Sequence, residues 1–128
     1  MPGSKKVILD TNFLLIPGQF GVDIFSELDR ICRFAYRLYI IDRTSQELEN
    51  ILEKQRGRQK EAAKLALAIL KAKNINTLPS AGMDVDDAIV ASADMETLVA
   101  TQDAGLKRRL KGKCGIITLR QKRYLIIA

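Results

Sequence analysis

The chain has 128 residues, 47% of them apolar, and sets 21 Lys and Arg against 15 Asp and Glu for a net charge of +6. That length fits a single domain over residues 1–128, able to bury a core without disulfides or a structural metal. Histidine is absent, which excludes Ser-His-Asp and Cys-His triads, a histidine general base and histidine-containing zinc sites. Any chemistry must be run by carboxylates, hydroxyls, lysines or a metal held by oxygen ligands.

No segment approaches the roughly 20 apolar residues of a membrane span, so no membrane association is expected. Cys32 and Cys114 form no Cys-x-x-Cys pair and read as reduced thiols. The N-terminal segment lacks the long apolar region of a secretory signal, and a cytoplasmic location is expected. The basic balance favours polyanionic partners.

In chain order, Val7-Ile8-Leu9 is a short, unbroken apolar run that stops on Asp10. This suits a strand buried on both faces of a parallel sheet, with its carboxylate at the strand exit where ligands gather. Pro17-Gly18 reads as a turn. Ile24, Phe25, Leu28 and Ile31 recur at helical spacing over residues 22–31. The second strand, residues 36–41, is rich in aromatic and β-branched side chains and ends at Asp42.

A helix then starts near Arg43-Thr44, with Leu48, Ile51 and Leu52 as its buried stripe. A basic break at residues 55–60 leads into an alanine-rich helix over residues 61–72, suited to packing on a sheet. Residues 75–79 form a short strand before the turn at 79–82. A helix opens at residue 84, a buried strand spans 97–101, and a basic helix follows it. Residues 113–119 and 124–127 complete the strands. Strands alternating with helices predict a three-layer α/β/α sandwich around a mainly parallel sheet.

Charge is segregated along the second half. From Asp84 to Asp103 every charged residue is acidic, and from Lys107 to Arg123 every one is basic. Asp10, Glu47, Asp86, Asp87 and Asp103 all fall at predicted strand exits or helix starts. Each has a local explanation: Thr44-x-x-Glu47 has capping-box spacing, Asp84, Asp86 and Asp87 suit a helix N-terminus, and Asp103 can cap the next helix. Jointly they point further. Converging carboxylates repel and raise one another's pKa unless a cation sits among them. Mg²⁺ and Mn²⁺ take such oxygen ligands, and a pair of these ions about 3.5–4 Å apart can activate water and stabilise the leaving oxygen of a phosphodiester.

Four segments in order, Ile8-Leu9-Asp10-Thr11-Asn12, Glu47 after the second strand, Asp87-Ala88-Ile89-Val90-Ala91-Ser92-Ala93, and Val99-Ala100-Thr101-Gln102-Asp103, resemble those of the PIN-domain ribonucleases. The resemblance implies a PIN-like α/β/α fold and cleavage of single-stranded RNA dependent on one or two Mg²⁺ or Mn²⁺ ions. It implies Asp10, Glu47, Asp87 and Asp103 as catalytic, metal-binding acids, with Asn12 and Thr101 supporting them. Asp86 adjoins the matched position, and either it or Asp87 can be the stronger ligand.

The ending Asp103-Ala104-Gly105-Leu106-Lys107-Arg108-Arg109-Leu110, with Gly115-Ile116-Ile117, is similar to PIN domains of small-subunit ribosomal-RNA processing. Toxin ribonucleases of toxin–antitoxin pairs are the other branch. Protein partners compatible with these branches are a second copy of the chain, an antitoxin or a ribosome-assembly factor. A compact prokaryotic version of the processing proteins is expected, because the long eukaryotic extensions are missing.

Lys107, Arg108 and Arg109 are candidate RNA phosphate contacts; a solvated helix face is the alternative. A PIN fold kept only as a binding module, and a phospho-acceptor or phosphatase of similar layout, are the rivals. Against the phosphatase, Asp10-Thr11-Asn12 lacks the second Asp of the Asp-x-Asp motif.

Overall fold

Val7, Ile8 and Leu9 have no solvent exposure, and the reason is their position. In the computed structural model, which describes residues 4–128, strand β1 (Lys5–Leu9) runs through the middle of a six-stranded sheet. Its neighbours are β2 (Tyr36–Ile41) and β4 (Thr97–Ala100), both parallel to it. The order is completed by β3 (Asn76–Leu78) beyond β2, and by β5 (Gly115–Arg120) and β6 (Tyr124–Ile127) beyond β4. Among the described residues only the β5–β6 pair is antiparallel.

The side-chain period of two sorts each strand between two cores. Val7, Leu9, Leu98 and Ala100 face one layer, made by α1 (Thr11–Leu14), α2 (Ile16–Phe20), α3 (Ile24–Ile31), α4 (Thr44–Lys54) and α5 (Arg58–Ala72). Ile8, Ile41 and Val99 face the other, made by α6 (Val85–Ser92) and α7 (Ala104–Leu110). The three-layer sandwich with a mainly parallel sheet is therefore the observed architecture. Among the described residues no helix is long and apolar enough to cross a membrane.

Two local expectations are corrected. Pro17-Gly18 is not a turn but part of α2, with Pro17 in the first helical turn, where its missing N–H costs nothing. Gly18 is there because α5 crosses closely: a Cβ on it would lie 2.4 Å from the Cα of Ala62. The Thr44-x-x-Glu47 capping box does not form. Arg43 occupies the cap position without a side-chain bond, the Thr44 hydroxyl is buried without a partner, and Glu47 turns toward Thr11. Tertiary contact at the sheet edge outcompetes the local cap. Cys32 is buried, Cys114 is half-buried, and both are free thiols.

Candidate active site

The strand order creates the site. The chain leaves β1 for β2 and β3 on one side, then crosses back to β4 and β5 on the other. The carboxyl ends of β1 and β4 therefore diverge into a crevice, the position where open α/β sheets bind ligands. Leu9 pairs with Ala100 at the end of that register, so Asp10 and Thr101 leave the sheet side by side.

Asp10 is 4% exposed and caps α1. One carboxylate oxygen accepts the Thr11 N–H at 2.8 Å, and the other accepts the Thr101 hydroxyl at 2.8 Å. Thr101, itself fully buried, also accepts the Asp103 N–H at 3.1 Å. One hydroxyl thus fixes the Asp10 carboxylate and the backbone that carries Asp103. Asp103 caps α7 through the Leu106 N–H at 3.0 Å. Glu47 enters from the first turn of α4 and accepts the Thr11 hydroxyl. Asn12 accepts the Gln102 N–H at 3.4 Å, tying the two strand exits together.

Burial pushes the Asp10 carboxyl up to about 6. The Thr101 and Thr11 bonds oppose that rise, while the nearby charges of Asp86 and Glu47 add to it. Asp86 is also raised, by burial first and then by Asp103, Asp84 and Glu47, with Arg109 pulling the other way. Asp10, Glu47, Asp86 and Asp103 therefore share one field. Asp87 stands apart: it is exposed, and its carboxylate accepts the Arg109 guanidinium at 2.7 Å. Consecutive helical residues point about 100° apart, so α6 offers Asp86 to the acids and Asp87 to α7. Asp84 caps α6 through the Asp87 N–H at 2.9 Å.

The three basic residues proposed from sequence do not form one patch. Lys107 donates to the Thr118 hydroxyl at 2.7 Å and is half-buried. Its pKa is lowered by burial and by the like charge of Arg120. Arg108 is exposed, and Arg109 is committed to Asp87. Two participants lacked a sequence signal as side chains of the site: Thr11, whose hydroxyl meets a glutamate 36 positions away, and Arg109 as an internal counter-ion.

Among the described residues, no group of three or more Cys, Asp or Glu side chains is gathered tightly enough to hold a metal ion alone. A caged site such as that of a structural Ca²⁺ is thus not what this edge provides. The donor set does fit Mg²⁺ or Mn²⁺: it is all oxygen, it is anionic, and it includes a buried carboxylate whose ionisation its surroundings oppose. Mg²⁺ usually takes one or two carboxylates and keeps several waters, which suits an open acid row.

A parallel sheet with a row of acids at its switch point defines a class that the family comparison identifies. Residues 7–122 match the model of the PIN like domain, and the chain belongs to that family. Over 125 residues it is 29% identical to ribonuclease VapC4 of Methanocaldococcus jannaschii, a match spanning 95% of either chain. Among solved structures it is similar to the PIN domain endonuclease Utp24. That similarity has a TM-score of 0.78 at 27% identity and covers 95% of this chain and 90% of the other.

Proposed function

We propose that this protein is an endoribonuclease whose hydrolysis of RNA phosphodiesters depends on Mg²⁺ or Mn²⁺. The observation that carries the reading is the electrostatics of the edge: Asp10 is buried against the charges of Asp86 and Glu47, with a pKa near 6. Such an arrangement is destabilising without a cation and is completed by one. Similarity to a ribonuclease and to an endonuclease supports the nuclease activity.

In this reading Asp10, Asp86 and Asp103 would share the metal, one ion or two, with water completing its shell, and Glu47 would orient the attacking water. Asp86 takes the role that the sequence resemblance gave to Asp87, because Asp86 shares the field of the other acids whereas Asp87 is exposed and pairs with Arg109. Thr101 and Thr11 keep both Asp10 oxygens in one orientation, so little reorganisation is needed when substrate arrives. Bound metal supplies positive charge for the phosphate and lowers the pKa of water near it. Attack by water leaves a 5′-phosphate and a 3′-hydroxyl.

Single-stranded RNA is the substrate, and ribosomal-RNA processing in the cytoplasm is the role assigned from the resemblance of residues 103–117. A toxin ribonuclease silenced by an antitoxin is the second reading, favoured by the match to VapC4.

The test is cleavage of unstructured and ribosomal RNA with Mg²⁺, Mn²⁺ or chelator, comparing the native protein with Asp10→Asn and Asp86→Asn. Metal-dependent cleavage lost in both variants is expected. Cleavage absent with every metal, or surviving in both variants, sinks the catalytic reading, and cleavage in chelator sinks the metal dependence; RNA retained without turnover would leave a binding module.

A further inference from the structure

Beyond Gln102, on the far side of the acid row, a cavity of about 540 Å³ lies between α7 and β5. It is a different place from the larger hollow of about 740 Å³, which lies by the first residues of β2 and β3, at the opposite ends of the strands. The cavity has a composite lining. Lys107, Arg108 and Lys111 come from the α7 side, and Arg120 comes from the end of β5. Ile116 and Cys114 contribute apolar surface, Ala128 also lines it, and no Asp or Glu side chain does. Among the described residues none of these four cations lies within 4.0 Å of a carboxylate.

The residues are placed together for structural reasons. Ile116, Thr118 and Arg120 alternate along β5 and so share one face. Lys107 comes from α7 itself and Lys111 from the residue that caps its C-terminal end, and both line the cavity. Lys107 donates to Thr118 at 2.7 Å, and Thr118 donates to the Gln102 side-chain oxygen at 2.8 Å. The same oxygen accepts the Leu119 N–H at 2.6 Å, which fixes the amide orientation. Both Nε2 hydrogens of Gln102 are thereby left without a partner among the described hydrogen bonds.

We propose that this cavity is a nucleotide subsite. One nucleotide of the single-stranded RNA places its phosphate among Arg120, Lys107, Arg108 and Lys111, and its base against Ile116 and Cys114, with the Gln102 amide as a donor. Unneutralised cations alone would take any anion; cations around a partly apolar hollow fit a phosphate joined to a base. The segment Thr101-Gln102-Asp103 is shared between the cavity wall and the acid row, since Thr101 bonds Asp10 and Gln102 lines the cavity. A nucleotide held there lies next to the scissile phosphate. The subsite rests on the endoribonuclease reading for its place in the substrate, but its ligand chemistry does not.

The experiment is a titration of the isotopically labelled full chain in chelator, using adenosine 5′-monophosphate, uridine 5′-monophosphate, inorganic phosphate and adenosine as separate probes. Saturable NMR shifts are expected at Gln102, Ile116 and Thr118, with a nucleotide bound at least about tenfold more tightly than phosphate or nucleoside. Arg120→Ala and Lys111→Ala, both at exposed positions, should each weaken nucleotide binding by about three- to tenfold, as expected for one charge-assisted contact. Equal affinity for phosphate alone, or shifts confined to Asp10 and Asp86, overturns the subsite.

Cleavage kinetics on RNA then separate the two readings. Arg120→Ala should raise KM about tenfold, with a smaller effect on kcat. Nucleotide binding in a protein that cleaves no RNA would keep the cavity's chemistry and remove it from a nuclease. Cleavage with no nucleotide in the cavity would do the reverse.

Discussion

The acid row and the basic cavity flank the same three residues, Thr101, Gln102 and Asp103, yet they tolerate like charge by different means. The acid row is anchored on one buried member: Asp10 sits almost without solvent, with both carboxylate oxygens bonded, while Glu47 and Asp86 are half-buried and Asp103 is exposed. The cations keep more contact with water, with Arg108, Lys111 and Arg120 exposed and only Lys107 half-buried. Solvent relieves the repulsion in the cavity, whereas the acid row stores it. Opposite signs meet at one described contact between α6 and α7, the Asp87–Arg109 pair. On the proposed readings, the difference matches an acid row that would hold one or two small cations and a cavity that would take a larger anion retaining some hydration.

The largest expected effect breaks the α6 pair apart. Asp86→Asn should lower metal-dependent RNA cleavage by at least about 10³-fold, roughly 4 kcal/mol of transition-state stabilisation. Asp87→Asn, losing only an exposed ion pair, should cost about tenfold or less. Rate constants for the two variants on one RNA decide it; equal losses would return the ligand role to Asp87.

Next comes stability without metal. The folded-state pKa of Asp10 lies above its unfolded value, at about 6 against 3.8. Its ionisation therefore opposes folding. The penalty is absent below about pH 4, develops as pH rises through 6, and is complete above about pH 7, where it amounts to roughly 3 kcal/mol. In chelator, denaturant melts should show the native chain losing stability from pH 4 to 8 relative to Asp10→Asn. A native chain that gains on that variant over the same range would contradict the electrostatic account. Added Mg²⁺ should restore the native chain, by about 2.7 kcal/mol at 100 times its Kd.

Thr101→Val probes how the acid row is held. It removes the hydroxyl that donates to Asp10 and accepts from Asp103. A stability loss of about 1–3 kcal/mol is expected, together with a cleavage profile moved to higher pH, because the Asp10 carboxylate loses a stabilising bond. An unmoved profile in an otherwise folded variant would deny Thr101 that role.

The smallest effect belongs to the cavity. Removing one phosphate contact by Lys111→Ala should reduce the slope of log affinity for single-stranded RNA against log salt by roughly 0.7. An unchanged slope would place Lys111 off the RNA path.

Sequence by itself determined much of this protein. The unbroken apolar run of β1, the aromatic and β-branched content of β2 and the helical spacing of α3 are local patterns, and local patterns set element type. The absence of histidine and the acids at strand exits limited the chemistry in the same direct way. What only the tertiary structure decided were choices between adjacent or distant residues. Pro17-Gly18 looked like a turn but lies within α2, where the approach of α5 leaves room for nothing larger than glycine at residue 18. Thr44 and Glu47 had the spacing of a cap, but Glu47 meets Thr11 once β1 and α4 are brought together. Asp86 and Asp87 are interchangeable on paper; the rotation of α6 and the position of Arg109 separate them. Lys107, Arg108 and Arg109 read as one basic run, yet successive helical side chains diverge by about 100°. Composition and periodicity report what each segment prefers, while the direction of a side chain at a shared edge depends on neighbours that only folding supplies.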